Sequence, residues 1–394
     1  MPDDTTSTPY GRFRQTTVYT TGMLTGETPD VPASYEALKR RAAEVLEGDA
    51  YDYVAGGAGS EATKRHNRVA FEDYRIVPRV MQDTAERDLS TEVLGQTFDV
   101  PVLLAPIGAQ GILHEEGDLA SARAAERLNV PYVCSTQSSE TLEDVSEELG
   151  ETPKWFQLYW SEDRELTESL VSRAEEAGYD ALMVTLDTPH LGWRERDVSR
   201  GFLPFLAGDG IANYVSDPVF RDRLAQPPEE NERAAAQEFV EVFSDPSLTW
   251  ADLDWLASQT DLPIVCKGIL HPADAEQAVA HGAEGVVVSN HGGRQVDGEV
   301  AALRQLPTIS HRIGDDATVL FDSGIRRGAD AVKALALGAD AVMLGRPYAY
   351  GLGIDGENGV HEVVENFLAD FDLTVALTGN DSVSDIDRDL LVEA

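Results

Sequence analysis

Cysteine is nearly absent from this 394-residue chain, which has only Cys134 and Cys266. Both sit in apolar runs, YVCS and PIVCK, and read as buried, reduced thiols rather than a disulfide framework. A chain of this length buries enough core to fold without cross-links. Lysine is also scarce, at Lys39, Lys64, Lys154, Lys267 and Lys333. Only 31 basic residues face 70 acidic ones, giving a net charge of −39. That balance excludes the basic footprint that nucleic-acid binding requires. No eighteen apolar residues run together, and no early apolar run follows a basic segment. Neither a membrane-spanning helix nor a secretory signal is expected, and the expected location is the cytoplasm. Few lysines and many carboxylates further predict a very salty cytoplasm. There the screening length shrinks to about 3 Å near 1 M salt, and dense negative charge repels itself less.

What the chain does have is rhythm. Residues 1–32 are rich in Thr, Pro, Gly and Asp without periodicity and read as an extended arm. Helical patterns follow at 34–47 and near 60–68, with the glycines of AYDYVAGGAG ending the first and making a tight turn. From residue 101, short apolar runs alternate with amphipathic stretches. The runs are PVLLA (101–105), PYVCS (131–135), WFQLY (155–159), ALMVTL (181–186), PIVCK (263–267), GVVVS (285–289), TVLFD (318–322) and DAVML (340–344). Runs without alternation suit parallel strands buried on both faces. The clearest helices between them are 117–128, 163–177, 272–281 and 328–337. Eight β-α units in a row predict a (β/α)8 TIM barrel over residues 33–394, with an open doubly wound sheet as the alternative. One step is long: residues 188–248, between the fourth and fifth strands, form an insertion that reads as a lid over the site.

In such a barrel the active site forms at the carboxyl ends of the strands. Here those ends carry, in order, Pro106-Ile107-Gly108, Ser135-Thr136, Gln157 and Tyr159, Thr185 and Asp187 with Arg194 beyond, Lys267, SNHGGR (289–294), DSGIR (322–326), and Gly345-Arg346. A single polar group at a strand end is usually a satisfied turn residue. Polar groups at all eight are a site. The last two loops offer small residues whose N–H groups approach closely, together with Arg326 and Arg346, and so predict a phosphorylated cofactor or substrate. Lys267 is open to three readings: a snorkelling side chain, a Schiff-base amine, or a fixed charge beside an electron-rich ring.

These residues bear a family resemblance. SNHGGRQ (289–295), DSGIRRGADAVKALALGADAVMLGRP (322–347), LDTPHLGWRERD (186–197), FQLYW (156–160) and LAPIG (104–108) occur in the order and spacing of the FMN-dependent L-2-hydroxy acid oxidising enzymes. The similarity runs from about residue 30 to about 380. Gly108, and the FLPFL and NYVSDPVF strings of the insertion, resemble the lactate 2-monooxygenase group most closely. That resemblance implies FMN as cofactor, a small 2-hydroxy acid such as L-lactate and dioxygen as reactants, and a homotetramer or homo-octamer. It implies His291 as general base, Asp322 stabilising its imidazolium, and Arg194 and Arg294 gripping a carboxylate. Tyr53 and Tyr159 would hydrogen-bond the substrate. Lys267 would sit by the flavin N1–C2=O edge, and Gln157, Thr185, Ser135, Ser289 and the backbone around Pro106, Ile107 and Gly108 would hold the ring. Ser323, Gly324, Arg326, Gly345 and Arg346 would hold the phosphate end. Glycine at 108 would leave room beside the flavin, a feature associated in that group with holding the keto acid while oxygen reacts. Ser323 replaces a glycine common in the oxidases, and Gln137 stands where glycolate oxidase has a tryptophan.

Overall fold

The computed structural model describes residues 10–394. Eight parallel strands close into a barrel: β1 (Val102–Leu104), β2 (Tyr132–Ser135), β3 (Lys154–Leu158), β4 (Ala181–Thr185), β5 (Ile264–Ile269), β6 (Gly285–Val288), β7 (Thr318–Phe321) and β8 (Ala341–Leu344). Each strand pairs with the next in sequence, and β8 closes on β1, Val342 opposite Val102. The open-sheet alternative is thereby excluded, and the fold is a (β/α)8 TIM barrel. Side chains alternate across each strand. Leu103, Val133, Met183 and Val265 point into the barrel, while Val102, Leu104, Cys134 and Val184 face the helices. An antiparallel hairpin, Thr91–Val93 with Gln96–Phe98, seals the amino-terminal end and sets Phe98 against Trp155 at 6.2 Å. Both cysteines are buried and free, and burial pushes the Cys266 thiol up to about 12.

Two expectations about the amino-terminal region need correction. The arm contains a helix, α1 (Tyr10–Thr25), docked on the last helix, Arg346–Thr378, which kinks at Asp355–Gly356. The N–H of buried Gly11 donates to Asp372, and Arg14 pairs with Glu362 and Glu365. Gly11 is the one buried residue of α1, so the helix carries no apolar stripe for periodicity to reveal. Residues 1–9 of the expected arm lie outside the described residues. The AYDYVAGGAG segment is not simply a turn. After α2 (Tyr35–Val45) it forms its own helix, α3 (Gly48–Ala55), and the glycines from Gly56 onward end that one. The helix α4 (Ala62–Val69) follows.

The insertion 188–248 folds as short helices over the mouth of the barrel, and its NYVSDPVF string supplies the pins. Asn213, fully buried, donates to Ser135 O and Thr136 O (3.2 and 3.1 Å) and accepts from Leu142 N (2.7 Å). Asp217, also fully buried, caps helix Pro218–Asp222 and pairs with Arg173 at 3.1 Å. The insertion has an aromatic core of its own: Phe239 meets Tyr214 at 4.8 Å, Phe243 at 5.3 Å and Phe205 at 5.4 Å.

Candidate active site

The loop after β6 is held in a strained shape by two hydroxyls. His291 (φ 55°), Gly292 (66°) and Gly293 (74°) are successive left-handed residues, a conformation that costs a non-glycine residue about 1–3 kcal/mol. Ser289 Oγ accepts from the His291 N–H at 3.0 Å, and Ser323 Oγ accepts from the N–H groups of Asn290 and Gly292 at 3.1 and 3.0 Å. Asn290 exchanges two side-chain hydrogen bonds with Asn67 of α4, at 2.7 and 2.8 Å. The amino-terminal helices therefore set the position of the loop.

The imidazole of His291 lies against Asp187 at the end of β4, with Nδ1 3.0 Å from Oδ1. This corrects the expectation for Asp322. That carboxylate instead accepts from Ser323 Oγ (2.6 Å) and lies 3.3 Å from Lys267 Nζ. The reason is electrostatic: the Asp322 carboxylate is taken up by the buried ammonium of Lys267 and the hydroxyl of Ser323, which leaves Asp187 to meet the imidazole. Asp187 enters through a gap that glycine makes. A methyl group on Gly268 (φ 103°) would stand 2.6 Å from Asp187 Cβ. A carboxylate at Nδ1 fixes the tautomer, leaving the Nε2 lone pair free as a base. Burial, with Lys267 and Arg194 adding to it against Asp187, holds the His291 pKa below its ordinary value. Burial opposes the charge on Lys267, but Asp322 and Asp187 together keep its pKa above the usual lysine value.

A cavity opens at this end of the barrel. Tyr53, Pro106, Ile107, Gly108, Tyr159, Arg194, Lys267, His291, Arg294, Asp322, Ser323, Gly324, Arg326, Gly345 and Arg346 line it. The insertion adds Phe205 and Phe243, packed edge-on against Tyr53 (6.4 Å) and Tyr159 (5.4 Å). Ser135, Gln157, Thr185 and Ser289 do not line the cavity. The first three form a row across adjacent strands, Ser135 to Gln157 at 3.0 Å and Gln157 to Thr185 at 3.1 Å. Gly108 does not face open room as expected: a methyl group there would meet Gln137 Cβ at 2.9 Å and Oε1 at 3.2 Å.

The electrostatics of the cavity oppose those of the molecule. Within a chain of net charge −39, it gathers Arg194, Lys267, Arg294, Arg326 and Arg346 against Asp322. The four guanidiniums bond backbone carbonyls and one amide, and no ion pair to a carboxylate among the described residues joins them. Burial and Arg294 lower the Arg194 pKa to about 10, and burial, Arg326 and Arg294 do the same to Arg346. Buried cations without counter-ions are a binding site for anions. Residues 42–393 match the family model described as FMN-dependent dehydrogenase. The chain belongs to that family. L-lactate oxidase of Lysinibacillus sphaericus is 43% identical over 94% of this chain and 95% of its own. Human 2-hydroxyacid oxidase 1 is 41% identical over 90% and 94%. The solved structure of mandelate oxidase with (S)-4-hydroxymandelic acid superposes with a TM-score of 0.82 at 38% identity, covering 92% of this chain and 99% of that one.

This family member is an oxidoreductase and its cofactor is FMN. The residues present fit the cofactor. Arg326 Nε is buried with no partner, and Arg346 spends three contacts on Val54 O, Gly56 O and Gly292 O, leaving two of its five N–H groups. A side chain on Gly345 would meet nothing closer than Ala105 Cβ at 3.9 Å, so backbone is open there to close approach. Lys267 brings a buried ammonium to the cavity. Two residues outside the expected set matter. One is Asp187. The other is Gln295, whose Nε2 donates to Asp187 O (2.7 Å) and His190 O (3.0 Å) while its Oε1 faces Arg194 Nη2 (3.4 Å). Both lie inside the matched strings 186–197 and 289–295, yet only folding shows that the two strings meet.

Proposed function

We propose that the protein oxidises a short L-2-hydroxy acid of the size of L-lactate. Dioxygen takes up the two electrons and two protons removed from the substrate to give peroxide, which converts the held keto acid to the shorter carboxylic acid (acetate where the substrate is L-lactate), carbon dioxide and water. One observation carries the first half: a carboxylate-backed imidazole, the buried guanidinium of Arg194 and the half-buried one of Arg294, neither paired with a carboxylate, and two tyrosines converge on one cavity. When bound, FMN supplies the acceptor for the two electrons leaving the substrate. Arg194 and Arg294 hold the substrate carboxylate, a task suited to the guanidinium fork. Burial raises the Tyr159 pKa, so its hydroxyl stays protonated and donates to substrate, with Tyr53 beside it. His291 Nε2 takes the proton, and Asp187 balances the charge that develops. Lys267 would hold its positive charge beside the bound cofactor. Ser323, Gly324, Arg326, Gly345 and Arg346 hold the phosphate, and Pro106, Ile107 and Gly108 flank the ring.

The roof of insertion residues, Phe205 and Phe243, supports decarboxylation within a closed site. The relative named L-lactate oxidase supports a second reading, in which the keto acid leaves and peroxide is released. Product analysis separates them. Acetate without free pyruvate supports the first, and stoichiometric pyruvate and peroxide refute it. In the first reading Gly108→Ala, which pushes on Gln137, diverts turnover toward peroxide. A cytoplasmic homotetramer or homo-octamer completes the proposal. Exposed Phe13, Tyr19, Met23 and Leu24 on α1 support association, and sedimentation of the FMN-loaded protein tests it.

A further inference from the structure

The cavity contains two polar side chains that the proposed chemistry does not use, Thr188 and Gln137, and of these Gln137 carries a buried polar atom with no partner. Gln137, 4% exposed, lines it. Its backbone is fixed at both ends: the N–H donates to Ser135 Oγ (3.1 Å), and the carbonyl accepts from Ala109 N (2.8 Å). The side chain is hemmed in by Gly108, and the insertion packs Gly210 and Phe205 beside the backbone. Yet Nε2 has no hydrogen-bond partner among the described residues. The amide is thus buried, placed and unsatisfied in a cavity that Ile107, Leu191, Phe205 and Phe243 also line. Buried amides are normally paired, and an unpaired one at a ligand cavity is completed by the ligand.

The charged groups already account for the substrate's own fixed parts. His291, Arg194, Arg294, Tyr53 and Tyr159 serve the carboxylate and the C2 hydroxyl. What remains is the substituent on C2, and Gln137 carries the buried neutral group without a partner that is left for it. We propose that Gln137 determines specificity, favouring short 2-hydroxy acids that carry a hydroxyl or other neutral hydrogen-bonding group at C3 over all-apolar analogues of the same length. This rests on the reading of the site as a 2-hydroxy acid oxidase. An amide offers both a donor and an acceptor, so it pairs with a hydroxyl in either direction. A site built to bond a hydroxyl discriminates by that bond, because its absence leaves the buried amide unpaired.

The test compares L-glycerate with L-lactate, which differ by one hydroxyl at C3. Anaerobic flavin reduction is measured for FMN-loaded wild type, Gln137→Met and Gln137→Leu. The glycerate-to-lactate ratio of reduction efficiencies is expected to fall about 10-fold or more in both variants, as loss of a buried hydrogen bond implies. An unchanged ratio in variants that still bind FMN overturns the assignment while leaving the oxidase reading intact. Loss of FMN from both variants overturns it too, by making Gln137 a structural residue. Reduction by neither acid in wild type overturns the oxidase reading, and this inference with it.

Discussion

Asp187 and Asp322 show how function divides between residues that composition cannot tell apart. Both follow strands, both are largely buried, and both lie near Lys267. One touches the imidazole at 3.0 Å, and the other touches a serine hydroxyl and the lysine. Asp187→Asn is therefore expected to lower the rate of flavin reduction about 100-fold or more, because an amide at Nδ1 neither fixes the tautomer nor balances the charge. Asp322→Asn acts through Lys267 and is expected to change the flavin reduction potential more than the substrate proton step. Stopped-flow rates and a redox titration distinguish the two, and equal rate losses would return Asp322 to the role first expected of it. The pH dependence has a definite sign. His291 works when neutral, and burial lowers its pKa. Activity should then hold steady from neutral pH down past the ordinary histidine value of about 6.5 and fall only below it. A fall in reduction rate centred above that value contradicts this. Arg294→Lys should raise KM and lower kcat together, since a point charge does not replace the fork.

At the scale of elements, the eight strands were legible because each is a short apolar run buried on both sides, and all eight occur within a residue or two of expectation. Elements without such a pattern were not. Helix α1 buries a single glycine. Helix Ala302–Ile313 carries an internal Pro307, which ordinarily argues against a helix. The ring of polar strand ends was readable as a list, and most of its members line one cavity, with Ser135, Gln157, Thr185 and Ser289 outside it. Its pairings were not readable, because which carboxylate meets His291 depends on a barrel closing and on Gly268 giving way. The insertion was readable as something over the site, but its attachment was not. Asn213 pins it by three hydrogen bonds to buried backbone. Asn213→Ala leaves two buried carbonyls and one N–H without that partner, costing about 1–3 kcal/mol each at most. It should lower the melting temperature and expose the cavity to faster proteolysis within 188–248. An unchanged cleavage pattern would show that the insertion is held elsewhere.

The whole molecule sets a cationic pocket inside an anionic body. Arginines on the surface are tied to carboxylates, as Arg173 is to Glu143 and Arg223 to Asp163 and Glu238. The remaining negative charge repels itself, and salt screens that repulsion. The unfolding midpoint should rise steadily with added KCl from low to molar concentration. A flat or falling midpoint argues against adaptation to a salty cytoplasm. No helix among the described residues is long and apolar enough to cross a membrane.

The account turns on a base at 291 acting beside FMN on a hydroxy acid. The direct test is anaerobic mixing of FMN-loaded protein with L-lactate, in wild type and in His291→Ala, while flavin absorbance is followed. The account predicts bleaching in wild type and, in His291→Ala, FMN that stays bound and yellow. Bleaching at the wild-type rate in His291→Ala would contradict it.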